Sequence, residues 1–407
     1  MSERNGESGN KEFLSIESKR TDDKSTEFIH NDYTVGWVCA LPKEQTAAMA
    51  MLDQEHPDLP IPRNDHNAYT LGSIGKHNVV IACLPMGVIG NNSAAHVATQ
   101  MIDTFPSIKF GLMVGIGGGI PPKVRLGDVV VSKPDGKFPG VVQWDFGKAV
   151  DGGKFEQTVS LGRPPKELLA ALSKLVARQN MSRSDTPRFV EDLKTNPNLP
   201  PNYTRSDSLK DILFAADNPH RSQGRWQVLV SIVWKTVLAL LAYFIGWWAF
   251  APVERGAGQA TNAASDIELD GEQQRRIEAD EDEDEEKCRF CDMTRVIKRR
   301  PRATHVHYGL IASGNQVVKD ARFRDALNKR FEGNILCVEM EAAGLLESFP
   351  CIVIRGICDY ADSHKNKVWQ EHAAAVAAAF AKELLSMVPA QQVEQMPAIK
   401  SKGQSNI

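Results

Sequence analysis

The sequence predicts an α/β fold, a central mixed sheet with helices on both faces, interrupted by a long insertion. Two observations predict it. Strand-like apolar runs alternate with amphipathic helical stretches over residues 33–180 and again over 303–389, and such alternation favours a parallel or mixed sheet covered on both sides. Between them, over 181–302, the alternation fails, and each flank alone has too few strands and helices to close a core. The flanks are therefore read as two halves of one domain.

In order along the chain, YTVGWVCAL predicts a strand and KEQTAAMAML a helix, followed by the turn-rich PDLPIPRNDHN. YTLGSIG and HNVVIACL are strands, PMGVIGNNS a glycine turn, and AAHVATQMIDTF a helix. FGLMVGIGGGI is a buried strand ending in glycines, GDVVVS another, VVQWDFGK one more, and RPPKELLAALSKLVARQN a helix with prolines at its start. After the insertion come the strand HVHYGLIAS, the helix KDARFRDALNKRF, the strand NILCVEM, the helix EAAGLLES, the strand PCIVIRGICDYA and the helix WQEHAAAVAAAFAKELLSMV. The polar ends, residues 1–32 and 390–407, are expected to be disordered tails, the first without a secretory signal.

Composition bounds the function. The 407 residues are 42% hydrophobic and 24% charged, enough for a full core. A formal net charge of −3 provides no field that would gather nucleic acid, so any phosphate must be held locally. Seven Cys are an odd number, and five lie in apolar runs where a reduced thiol acts as a small hydrophobe. A reducing, cytoplasmic setting is expected.

Three acidic stretches lie where strands give way to loops, the place where open α/β sheets put their sites. In ALPKEQTAA, Glu44 stands at the head of a helix, where the helix dipole alone also favours a carboxylate. In CVEMEAAG, Glu339 and Glu341 flank Met340 at the end of an apolar strand, where two residues apart means the same face. Carboxylates beside a buried run need partners. Sugar hydroxyls would serve, or Glu339 pairs with Arg355, which leaves Glu341 as the ligand contact. In VIRGICDYAD, Asp359 lies directly beyond an apolar strand, a position that suits a general acid; the alternative is a turn cap, the role expected for Asp362. The run VGIGGG, with Gly117 and Gly118, lets backbone approach a ligand but meets neither the Walker nor the dinucleotide spacing, and alone it denotes a tight turn.

In this order, ALPKE, VGIGGG with LGDVVVS, LIASGN, VEMEAAG and RGICDYAD resemble the successive blocks of the nucleoside phosphorylase and nucleosidase superfamily, and of the methylthioadenosine/S-adenosylhomocysteine nucleosidases within it. GVVQWDFGK, HYGLIASGNQV and RGICDYADSHKNKVWQ are similar to fungal phosphorylase-like domains that stand at the front of NACHT or repeat-containing proteins. The resemblance covers roughly 33–178 and 305–389. It implies a three-layer αβα phosphorylase/hydrolase-like domain that cleaves the N-glycosidic bond of a purine nucleoside or nucleotide without a cofactor, and a homo-oligomer.

Residue by residue, the resemblance implies that Glu44 orients or deprotonates the attacking water and that Asp359 protonates the purine at N7. Glu341 would hold the ribose hydroxyls, Met340 pack against the sugar, Val317 and Val318 border the base, and Arg355 lie beside the carboxylates. An oxocarbenium-like transition state gains from nearby carboxylates, and the departing purine needs a proton. Ile116 stands where nucleosidases often have Ser, and Asn315, in the binding surface, where Asp is common. The Arg clamp of true phosphorylases has no match near ALPKE. Water is therefore the expected nucleophile, with phosphorolysis and a non-catalytic nucleoside-binding regulatory module as the alternatives.

The insertion carries three features. Residues 226–253 are apolar apart from Lys235, close to the ~20 residues a membrane helix needs, and suggest membrane association. A single crossing would, however, part the two halves of the domain. EADEDEDEE, 278–286, is a like-charge block expected to be disordered. Cys288 and Cys291 form a CxxC with His305 and His307 downstream, but His-x-His departs from zinc-site spacing, and no metal is expected.

Overall fold

The computed structural model describes residues 28–151, 154–158, 160–204, 209–221, 288 and 291–403. Strand β1 (Val35–Cys39) shows how the layers arise. Val35, Trp37 and Cys39 enter one apolar cluster and Val38 the other, as the two-residue period of a strand dictates. Such a strand needs cover on both faces. Helices α1 (Pro42–Met49), α3 (Lys166–Asn180) and α7 (Gln370–Met387) cover one side; α2 (Asn91–Thr104) and α6 (Ala342–Leu345) cover the other. In α3 the buried residues are Leu168, Ala171, Leu172 and Leu175, one stripe at helical spacing.

The sheet unites both ends of the chain. Its ten strands run β11 (Ile335–Glu339), β10 (Val306–Ser313), β6 (Val129–Ser132), β12 (Cys351–Asp359), β5 (Phe110–Gly119), β1, β4 (His77–Cys83), β3 (Tyr69–Ile74) and β2 (Gln54–His56), with β7 (Val141–Gln143) beside β10. β12 runs parallel to β5 from Cys351 opposite Gly111 to Asp359 opposite Gly118, and antiparallel to β6, so the sheet is mixed. The end of β5 also pairs antiparallel with β11, Gly118 opposite Val338 and Gly119 opposite Cys337. That pairing curls β5, β12, β6, β10 and β11 into a ring. A separate hairpin joins β8 (Gly147–Val150) to β9 (Lys154–Gln157).

Packing between α7 and the sheet depends on small residues. Residues 373–381 of α7 are all buried, and seven of the nine are Ala. A Cβ on Gly356 of β12 would come within 1.9 Å of the Ala373 carbonyl oxygen, so only glycine lets this backbone approach.

Several expectations need correction. The glycine run, a tight turn when taken alone, instead completes the strand read from FGLMVGIGGGI, because Gly115–Gly119 continue β5. VVQWDFGK is divided between β7 and β8, and the short β2 was not anticipated. Residues 28–32 are ordered, with Phe28 stacked on His56 at 3.8 Å between ring centroids. The expected tail from 390 forms α8 (Ala390–Gln395) and α9 (Ile399–Gly403), with Val393 and Ile399 buried.

The start of the expected insertion also belongs to the core. Helix α4 (Thr186–Asp192) is anchored on the fully buried Glu383, which accepts bonds from Asp185 N at 2.8 Å and Thr186 N at 3.0 Å. Leu193 and Tyr203 join the same apolar cluster. The 226–253 and 278–286 stretches lie outside the described residues, among which no single helix is long and apolar enough to cross a membrane.

Candidate active site

Glu44 is the third residue of α1, and its side chain reaches back to the helix start. One oxygen accepts from Ala40 N at 2.7 Å and Leu41 N at 3.1 Å; the other accepts from Ile116 N of β5 at 2.8 Å. The same carboxylate thus caps the start of α1 and reaches β5. The carboxylate is fixed by backbone, yet faces the glycine strand. A Cβ at Gly115 would lie 2.4 Å from Glu44 Oε1 and 2.5 Å from Arg355 Nη1. Glycine at 115 is what allows these two groups to meet.

Arg355, fully buried on β12, is the cation at the centre. It pairs with Glu339 and lies 3.4 Å from Glu341 Oε2. Glu339 also accepts from Ala342 N at 3.0 Å and Glu341 N at 3.2 Å, so it is committed to Arg355 and to the start of α6. Glu341 is not on the strand face with Glu339: β11 ends at Glu339, and Glu341 turns into α6. Both nonetheless reach the same guanidinium. Among the described residues, Nε and Nη1 of Arg355 have no hydrogen-bond partner.

Burial outweighs pairing for two of these acids. It pushes Glu44 above the usual carboxyl range against Arg355 and the three backbone donors. It lifts Glu341 to about 7, helped by the like charges of Glu339 and Glu44 and opposed by Arg355. Arg355 itself is burdened by burial, yet the three glutamates raise it further and keep it charged.

Asp359 closes β12. Its Oδ1 accepts from Ala361 N at 2.8 Å and its Oδ2 lies 3.1 Å from Lys365 Nζ. A Cβ at Gly118 would stand 2.8 Å from Oδ1, which places this acid roughly 10 Å farther along the glycine strand than Glu44. The Cys358 thiol lies 3.2 Å from Asp359 Oδ2 and is pushed well up by burial, then by Asp359 and, more weakly, by Glu44.

The other expected residues divide. Met340 is half-buried, its carbonyl 4.0 Å from where a Cβ at Gly90 would stand. Gly117 packs against the Val338 carbonyl and the Arg355 stem. Asn315, exposed, accepts from Asn91 N at 3.2 Å at the start of α2 and donates its backbone N–H to Asp145 at 2.7 Å. Val318 is buried in a cluster with Trp144 and Ala361, whereas Val317 is 49% exposed. Lys365 and Asp145 were missed. Lys365 lies in a polar turn, DSHKNK, whose return onto Asp359 no local pattern announces.

The CxxC was paired with the wrong histidines. His305 and His307 gather on Asp128, with His307 Nε2 2.9 Å from its carboxylate, whereas the Cys291 thiol lies 3.2 Å from Nδ1 of His220 and close to His364.

The fold and site define an α/β domain, a mixed sheet in three layers with carboxylates gathered at strand ends around one arginine. Residues 34–191 match the model of the family described as Phosphorylase superfamily. A nucleotide-binding leucine-rich repeat (NLR)-like protein of Hyaloscypha variabilis is 40% identical over 370 residues, 89% of this chain and 30% of that protein. A 5'-methylthioadenosine/S-adenosylhomocysteine nucleosidase of Mycobacterium bovis is 30% identical over 118 residues, 29% of this chain and 41% of that protein. The chain thus spans less than half the length of these relatives. Among solved structures, the futalosine hydrolase of Helicobacter pylori aligns over 88% of this chain and 99% of its own, at 15% identity and a TM-score of 0.48. The chain thus carries a nucleoside phosphorylase/nucleosidase-like domain, with the match to the phosphorylase superfamily lying over residues 34–191.

Proposed function

We propose that this site hydrolyses the N-glycosidic bond of a purine nucleoside or nucleotide. The observation that carries the reading is the gathering of Glu44 and Glu341 on Arg355, with Asp359 farther along the same glycine strand. Glu44, fixed by three N–H donors, orients and deprotonates a water directed at the sugar's anomeric carbon. Glu341, when ionised, accepts bonds from the ribose hydroxyls, and its charge favours the oxocarbenium-like transition state. Asp359 delivers a proton to N7 so that the purine leaves neutral, and Lys365 helps hold it in place. The offset between the acids lets one end of the site address the sugar and the other the base.

The charge balance supports water over phosphate. Among the described residues Arg355 is already paired with Glu339 and faced by Glu341 and Glu44, which leaves its charge little available to a phosphate dianion. The purified full chain, given adenosine, inosine, methylthioadenosine and ATP with and without phosphate, should release free base in both conditions. Release only with phosphate would make it a phosphorylase. The long match to an NLR-like protein favours, as a second reading, a regulatory module that binds without turnover. Calorimetric binding of a purine nucleoside with no product after prolonged incubation would select it.

A further inference from the structure

Away from the acids, His220, Cys291 and His364 meet although the sequence scatters them, with Cys288 beside His220. Cys288 and Cys291 form a turn in which Cys291 N donates to the Cys288 carbonyl at 3.3 Å. Nδ1 of His220 lies 3.2 Å from Cys291 Sγ and 3.8 Å from Cys288 Sγ. The donor atoms of His220, Cys291 and His364 all lie within 4.8 Å of one another. A tetrahedral zinc ion with usual Zn–S and Zn–N lengths sets its donors about 3.3–3.8 Å apart, so the cluster is near that spacing.

The surroundings fit a metal better than a chance contact. The side chain of His364 is 6% exposed and, among the described residues, its Nε2 has no hydrogen-bond partner. A buried ring nitrogen without a partner is costly unless a ligand takes it. Nδ1 of the same ring lies 3.9 Å from the Asp362 carboxylate, which accepts the His364 backbone N–H at 2.9 Å. Phe214 stacks on the ring at 3.8 Å and holds it in place. Arg221 N donates to Cys291 Sγ at 3.4 Å, as backbone donors do to zinc-bound thiolates, and His220 N is tied to Ser363 Oγ at 2.9 Å.

We propose that His220, Cys288, Cys291 and His364 bind one zinc ion in a closed, structural Cys2His2 site. Two thiolates and two imidazoles fill a tetrahedral ion and leave no position for substrate or water. The ion would join three segments. His220 and Cys288 stand at the two ends of residues 222–287, and His364 adjoins Lys365, which contacts Asp359. The clamp thus closes the base of that insertion and holds the loop behind the proposed general acid. It does not depend on the reaction proposed above.

Metal analysis of the purified full chain should find zinc in near-stoichiometric amount, lost in Cys291→Ser and in His364→Ala and retained in His305→Ala. Should the first two variants fail to fold, the native chain itself decides. Exchange of zinc for cobalt should give the visible bands of a tetrahedral ion and a thiolate-to-cobalt charge-transfer band. A native chain free of bound zinc that shows no such bands on cobalt titration would overturn the site. So would a Cys288–Cys291 disulfide in metal-free protein, or loss of zinc in His305→Ala with retention in His364→Ala.

Discussion

Replacing Glu341 with Gln removes one titrating carboxyl from the buried acid cluster and leaves its shape almost unchanged. In the native chain burial raises this group from 4.5 to about 7. Between those two values the folded chain holds a proton that the unfolded chain has released. The contribution is therefore complete below the unfolded value and is lost as pH rises through the folded one. At 1.36 kcal/mol per unit, the shift amounts to about 3 kcal/mol. Glu341→Gln lacks this loss. The stability difference between variant and native chain should move by about 2–3 kcal/mol in the variant's favour from about pH 5 to about pH 8. Urea unfolding, followed by the fluorescence of the buried tryptophans such as Trp37, measures it at each pH. A difference that stays flat across that span, or that moves against the variant, would refute the placement there of a carboxyl whose burial outweighs its pairing with Arg355.

Other outcomes follow from the same geometry. Arg355→Met leaves Glu44, Glu339 and Glu341 buried without their cation and should cost about 3–5 kcal/mol in the same unfolding assay. Gly356→Ala drives a Cβ into the Ala373 carbonyl and should lower stability by about 3 kcal/mol or more, seen as a fall in Tm or in soluble yield. Gly115→Ala should abolish base release with a smaller loss of stability, because its Cβ displaces Glu44 and Arg355 rather than a helix. Asp359→Asn should lower kcat by about 10²–10⁴-fold with little change in KM, since its proton serves the transition state more than binding.

The layers were legible in the sequence because period and length carry them. Leu168, Ala171, Leu172 and Leu175 mark α3 at helical spacing, and the unbroken apolar run around Met113 marks a strand buried on both faces. Glu44, Glu341 and Asp359 were legible as candidates because each is polar at the edge of an apolar run, and Arg355 because it stands inside one, where burial of charge needs a reason. What local pattern does not carry is pairing across the chain. Taken alone the glycine run denotes a turn because its five-residue stretch is low in strand propensity; tertiary pairing with β12 and β11 holds it extended. Val393 and Ile399 are isolated apolar residues in a polar stretch, so the helices that bury them look like tail. The partners of Cys291 lie 71 residues before and 73 residues after it, beyond any spacing rule.

Base release in heavy-oxygen water tests the central claim most directly. With water activated by Glu44 and the purine protonated by Asp359, mass spectrometry should find one heavy oxygen on the freed sugar and none on the base. Both Glu44→Gln and Asp359→Asn should suppress this product in parallel. Unlabelled or phosphorylated sugar, or labelled sugar formed at an undiminished rate by either variant, would contradict the account.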